Sequence, residues 1–211
     1  MAKWKPVGKC KRALREVGEF ETPSGRVIVS DPTMAAPKQG QMLSFNAEIK
    51  VPRTKWRASV LTYTQVYERD GKRNTDTRVA QLIAVTEDNA CKKDTQLDVG
   101  LGVDTGQAGI FDAAHYAADQ DVDLDRLKKD MKTWSEKMSD ADIEESPWYW
   151  MVTLLNQKTG VASLVPDIKG KMVGVSSSSG YGDGIYEVRV GKTKGQVTQI
   201  RLLFIEPTNC P

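Results

Sequence analysis

Histidine and cysteine are nearly missing from this chain of 211 residues, which has one histidine, His115, and three cysteines, Cys10, Cys91 and Cys210. No CxxC pair occurs, and a single imidazole cannot complete a Cys/His zinc set. Cysteines this few and this far apart do not make a disulfide framework either, so neither a structural zinc site nor a disulfide scaffold is expected. Any Ser-His-Asp or Cys-His catalytic arrangement would have to use His115. As the lone imidazole it is the natural proton shuttle near neutral pH. In Phe111-Asp-Ala-Ala-His-Tyr-Ala-Ala118, a structural or solvent-facing role is the blander account. Long apolar runs are missing too. No stretch approaches the roughly 18 apolar residues that cross a bilayer. The basic N-terminus, MAKWKPVGKCKRALREVG, lacks the apolar core of a signal peptide, so a cytoplasmic location without a membrane partner is expected.

An excess of one charge is also lacking. The net charge of +2 exerts no strong pull on nucleic acid, which is therefore not an expected partner. The local exception is the segment 1–18, where Lys3, Lys5, Lys9, Lys11, Arg12 and Arg15 cluster. Such a run can meet phosphate, but it reads more simply as a solvated end.

What is present is globular: 39% apolar and 27% charged residues, without internal repeat, low-complexity tract or dividing linker. One domain over 1–211 is expected. A strand is predicted over Arg26–Ser30, entered through Thr22-Pro23-Ser24-Gly25 and stopped at Asp31-Pro32. Residues 42–51 alternate, with Leu43, Phe45, Ala47, Ile49 and Val51 on one face and Ser44, Asn46, Glu48 and Lys50 on the other. Residues 56–67 and 77–86 read as a hairpin with a longer loop between Glu68 and Asn74. A short strand is predicted near Val99–Val103. An amphipathic helix follows over 121–139, its stripe formed by Leu124, Leu127, Met131, Trp134 and Met138. From Pro147 the pattern reads as strand again: 148–155, 161–165, 171–176, 185–190 and 196–205, with a turn at Gly191–Gly195. Eight to ten strands without a βαβ rhythm imply an α+β, mainly β fold. Its sheets would be largely antiparallel and sandwich-like, with one long helix on a face.

Three stretches together point to a family. They are Ser24-Gly-Arg-Val-Ile-Val-Ser-Asp31-Pro32, then Gly102-Val-Asp104-Thr105-Gly106 ending at Phe111-Asp112, and Ser178-Ser179-Gly180-Tyr181-Gly182-Asp183-Gly184-Ile185-Tyr186. Their order and spacing resemble the mainly bacterial domain of unknown function 4241, roughly from Gly18 to Glu206, with a GDG-x-Y signature at Gly182-Asp183-Gly184 and Tyr186. The resemblance carries no activity, cofactor or catalytic residue; a bacterial or phage origin fits it.

Two sets of residues bear chemistry. The first is the glycine-punctuated loop, with Ser179, Gly180, Tyr181, Gly182, Asp183, Gly184 and Tyr186 as ligand-binding candidates. Its N–H groups can form an anion-binding nest, or Asp183 can simply bond nearby amides in a tight connection. It opens no helix and lacks a phosphate-loop lysine. The second set is Asp31, Asp104, Asp112 and Asp183, which could hold a divalent metal if the strand ends converge. The acids of Asp119-Gln-Asp121-Val-Asp123-Leu-Asp125 look like a calcium loop, but Leu124 stands where that loop needs glycine, so they read as helix caps. Trp148 and Trp150, placed on one strand face, are core or an aromatic platform.

Two functions follow. One is an interaction protein, of the immunity or inhibitor type, which binds a protein partner or a small anionic ligand, needs no cofactor and is compatible with a homo-oligomer. The other is a metal-dependent hydrolase working through the four aspartates.

Overall fold

The computed structural model describes residues 5–34, 45–89, 91, 93–135 and 138–206. As expected, the fold is mainly β, with two antiparallel sheets and three short α-helices among the described residues. The larger sheet orders its six strands as β1 (Lys5–Glu21), β4 (Lys55–Arg69), β5 (Lys72–Thr86), β11 (Gln196–Leu203), β10 (Gly184–Thr193) and β6 (Asp94–Val103). The smaller has five, in the order β3 (Ala47–Lys50), β2 (Arg26–Ser30), β7 (Gln107–Asp112), β9 (Met172–Ser178) and β8 (Ala162–Pro166).

Tight turns lengthen the hairpins beyond expectation. The β4–β5 ladder runs to Arg69↔Lys72, so the expected loop at 68–74 shrinks to Asp70-Gly71. Both turn residues have positive φ, 53° and 72°, as a two-residue type I′ turn requires. Lys194-Gly195 closes β10–β11 the same way, with φ of 50° and 82°. β3 is shorter than the alternation implied: Phe45 is exposed and Asn46 buried, while Leu43 and Ser44 lie outside the described residues.

The N-terminal segment is no solvated end. It forms a 17-residue edge strand, β1, paired along β4 from Lys5↔Glu68 to Glu21↔Lys55. Most of its side chains are exposed, and its register shifts twice. Lysines and bulges are how an edge strand avoids adding a further strand. The same exposure removes the apolar alternation by which a strand announces itself. Cys10, on this strand, is disulfide-bonded, although no disulfide scaffold was expected; Cys91 is a free thiol.

Two cores stack on the smaller sheet. Val27, Val29 and Ile110 of that sheet meet Trp56, Val60, Leu82, Ile200 and Leu202 of the larger one. On the opposite face Ile28, Phe111 and Val165 join Tyr116, Leu127, Met131, Ile143, Trp148 and Val152 beneath the helices. β2 is therefore buried on both sides, which explains its unbroken apolar run.

The helices depart most from expectation. α1 spans Leu124–Trp134 rather than 121–139; it buries Leu127 and Met131, but Trp134 is exposed. α2 (Asp140–Glu145) starts at a Ser139 capping box. The stretch 148–155, read as strand, is α3 (Pro147–Thr159). Pro147 sits at its start, Asp119 Oδ1 accepts the Trp148 N–H at 3.0 Å, and left-handed Gly160 ends it. A largely apolar run eight residues long carries no period that separates the two states, and here the helix buries Trp148, Val152 and Leu154 on more than one side. Trp148 and Trp150 consequently diverge: Trp148 is buried, and Trp150 donates from Nε1 to the Asp142 carbonyl. The capping reading of the acids holds at the start of α1 for Asp123, whose carboxylate accepts the Arg126 N–H, whereas Asp119 serves the start of α3.

Tyr116 pins the turn after β7 to the end of β2. Its hydroxyl lies 2.9 Å from both Ser30 Oγ and the Asp31 carbonyl, and 2.6 Å from the Met34 carbonyl. Burial pushes its pKa above the ordinary phenol value. The unfolded chain therefore ionises first, so this stabilisation is complete below about pH 10 and is lost as pH rises beyond it. Urea midpoints between pH 8 and 11 should fall less steeply for Tyr116→Phe than for the natural chain. Equal slopes would remove Tyr116 as the cause.

Candidate functional site

The motif residues are largely bonded to one another. Asp31, directly after β2, is fully buried. Its Oδ1 accepts the N–H and hydroxyl of Thr33, each at 2.8 Å, and its Oδ2 accepts the N–H groups of Asp104 and Thr105, each at 2.8 Å. The Thr105 hydroxyl lies 3.0 and 2.9 Å from the two oxygens. Asp112, equally buried, accepts the Ser24 N–H and hydroxyl at 2.9 and 2.8 Å and the Ala114 N–H at 3.0 Å. These carboxylates tie turns to strand ends, where β6 crosses to β7 between the sheets and where β7 passes into the helical layer.

The ladder from Val27↔Asp112 to Ser30↔Gly109 places Asp112 and Asp31 at opposite ends of the β2–β7 pair. Asp104 and Asp183 are exposed on loops that meet, since a Cβ on Gly106 would lie 3.8 Å from Gly182 Cα and the Ser179 N–H donates to the Gly106 carbonyl at 3.0 Å. Three of the four aspartates thus share one end of the sandwich without pooling their oxygens. Among the described residues no group of three or more His, Cys, Asp and Glu side chains is placed to hold a metal ion. The convergence on which the hydrolase reading depends is not formed.

The glycine loop is held from below. The Tyr186 hydroxyl sits 2.9 Å from the Ser179 carbonyl and 2.7 Å from that of Gly182, which also accepts the Ser179 hydroxyl at 2.8 Å. Partial burial raises the Tyr186 pKa, keeping this hydroxyl a donor. Gly180 has φ 63°, and a Cβ there would stand 2.9 Å from Phe204 Cβ and 3.3 Å from the Val79 carbonyl oxygen. Only glycine lets the loop lie this close. The N–H groups of Ser179 and Gly182 are bonded within the protein, to the carbonyls of Gly106 and Ser179, so neither is open to an anion. Asp183 and Gly184 are exposed beside them. What the loop presents is Tyr181, with 62% of its surface exposed.

Tyr181 forms one wall of a groove of about 560 Å³. The floor comes from the far half of the β4–β5 hairpin, where period two puts Tyr63, Gln65 and Tyr67 on one face, with Arg78 and Asp76 opposite the first two. Lys9 and Cys10 of β1 line the other side. Arg78 joins floor to wall: its Nε lies 2.7 Å from Asp76 Oδ2, its Nη1 donates to the Gly180 carbonyl at 3.1 Å, and its Cζ sits 4.9 Å from the Tyr181 ring centre. The Gln65 amide N–H₂ bonds the Val7 and Val66 carbonyls, at 3.3 and 3.0 Å. Sequence reasoning singled out Tyr181, and Lys9 within the basic cluster, but missed Tyr63, Gln65, Tyr67, Asp76 and Arg78. The alternation Tyr63-x-Gln65-x-Tyr67 was the available signal.

Fold and site together define a two-sheet β-sandwich, capped by helices on one face, whose loop-and-hairpin end opens a tyrosine-lined groove. The chain matches the family described as protein of unknown function (DUF4241) over residues 20–202, and it belongs to that family. No curated protein and no solved structure gives a match. No helix among the described residues is long and apolar enough to cross a membrane.

Proposed function

We propose that this chain is a binding protein that holds an anionic group in the groove between the β4–β5 hairpin and the Tyr181 loop. The observation that carries this reading is the excess of donors on the groove wall. Among the lining residues, Lys9 and Arg78, with Tyr63, Tyr67 and Tyr181, stand against one carboxylate, Asp76, which Arg78 already engages. Beside them Arg12, paired with Tyr63 across β1 and β4 and lying 5.4 Å from its ring centre, adds positive charge. His115, which a Ser-His-Asp or Cys-His arrangement would have to use, lies in the turn after β7 and does not line the groove. The same donors would receive the carboxylate of a protein partner.

Thermal-shift measurements with inorganic phosphate, a nucleotide panel and Mg²⁺, Mn²⁺ and Ca²⁺ test this. A ligand that binds only the folded state adds about 2.7 kcal/mol at a hundred times its dissociation constant. Phosphate or nucleotides should raise the midpoint, and Lys9→Met and Arg78→Met should each reduce that rise. A rise with a divalent metal that disappears in Asp183→Asn would favour the carboxylate reading instead.

A further inference from the structure

We infer that the arm formed by the far halves of β1, β4 and β5 binds the phosphodiester backbone of a nucleic acid, on the face turned away from the groove. The net charge of +2 hides how unevenly charge is placed. Residues 5–15 and 62–78, which make this arm, hold nine lysines and arginines against three acids. The whole chain has 30 and 28, so the other residues hold 21 and 25 and are net acidic. A charge of either sign would guard the open edge of β1, so edge protection does not explain why residues 5–15 carry five cations and no acid. A field concentrated on one arm draws in a polyanion even though the molecule as a whole is nearly neutral.

The ladders decide which face each side chain takes. Period two turns Tyr63, Gln65 and Tyr67 toward the groove and Thr62, Thr64 and Val66 to the other side. β1 follows in register, with Lys5 opposite Glu68, Lys11 opposite Thr64 and Arg15 opposite Val60. These three cations therefore share the second face, and all are exposed. Among the described residues none of their side chains meets a carboxylate, and Glu68, the acid within these rows, is engaged by Arg73 Nε at 3.0 Å. The exposed Thr75 and Thr77 and the half-buried Thr64 add hydroxyls. Thr64 and Thr77 lie 2.9 Å apart, so one donates to the other and one keeps its proton for a ligand. Rows on a strand face recur every two residues, about 7 Å, and donors recur with them along the arm. A chain of phosphates has such a repeat, and the carboxylates of an acidic protein surface do not. Lys, Arg and Thr are side chains that contact phosphate oxygens without reading bases.

Fluorescence anisotropy of the full chain with short labelled DNA, single-stranded and duplex, tests this. Both should bind whatever their base sequence, and duplex affinity should fall with salt with a logarithmic slope of about −0.9 for each of the three cations. Lys5→Gln/Lys11→Gln/Arg15→Gln should weaken binding by at least about tenfold and flatten that slope. Lys50→Gln/Lys129→Gln/Lys169→Gln, which removes three charges elsewhere, should change affinity by no more than about twofold. All six side chains are exposed, so both variants should keep the melting temperature of the natural chain. Equal weakening by the two variants would reduce the effect to overall charge and overturn the assignment of the face. Competition by polyglutamate as strong as that by unlabelled DNA of the same charge would give the face to an acidic protein and overturn the nucleic acid. No binding at low salt overturns the inference outright. The anion site in the groove is untouched by any of these outcomes, since Tyr63, Tyr67 and Arg78 lie on the other face.

Discussion

Asp31→Asn should destabilise the protein by about 3–4 kcal/mol, although it keeps the size and shape of the side chain. The native carboxylate is fully buried, and its charge is met by N–H and O–H groups alone. An amide has one acceptor oxygen and one donor nitrogen. Turned one way, its N–H₂ meets the Thr33 N–H; turned the other, it meets those of Asp104 and Thr105, each 2.8 Å from the oxygen it would replace. Either orientation leaves a buried N–H facing a donor, so relaxation must break the turn on one side. Urea denaturation is the measurement, with Asp104→Asn and Asp183→Asn as exposed controls expected to change stability by no more than about 0.5 kcal/mol. A loss below about 1 kcal/mol for Asp31→Asn would show that the turns are held by something else. The effect should also reach the groove. Gly106, beyond the Asp31-bonded turn, accepts from the Ser179 N–H, and Ser179 helps carry Tyr181.

The motifs by which the family was legible thus turn out to be fastenings. Ser24 bonds Asp112, Asp31 bonds Thr105, and Tyr186 bonds the loop that contains the GDG sequence. Sequence shows that such residues occur together; it does not show whether a carboxylate faces a metal or the backbone, because that depends on which strand ends become neighbours. The alternating and turn-bounded strands were readable because burial on one face imposes period two, and β2 because Asp31-Pro32 ends it. β1 was not, since an edge strand with exposed lysines has no apolar face to display. Nor was α3, whose apolar run carries no helical stripe: both Trp148 and Val152 on one side and Leu154 on another are buried. The groove was half legible. Tyr181 stood out within a glycine loop, whereas Arg78 and Lys9 are ordinary surface cations until the hairpin and β1 bring them to it.

Truncating Phe111 to alanine should remove about 3–5 kcal/mol. The ring is 1% exposed, lies 4.9 Å edge-on from Trp148 and packs 5.5 Å from Tyr116, centre to centre. Its space is shaped by glycine. A Cβ on Gly109 would fall 2.2 Å from Phe111 Cζ, and one on Gly174 2.9 Å from Phe111 Cδ1. The surroundings cannot readily close on the vacated volume, because Tyr116 is hydrogen-bonded to Ser30 and the Trp148 N–H is held by Asp119. A cavity that fails to collapse adds its own term to the lost transfer energy. Refilling from the glycines should also fail. Gly109→Ala in the Phe111→Ala background still puts its Cβ 2.6 Å from the Val175 carbonyl oxygen, a backbone atom that cannot swing aside. The double variant is therefore expected to be less stable than Phe111→Ala alone in urea denaturation, whereas Phe111→Leu should recover part of the loss. If Gly109→Ala rescued the truncation, the glycine would be a packing choice and the close approach of β7 to β9 would not be what demands it.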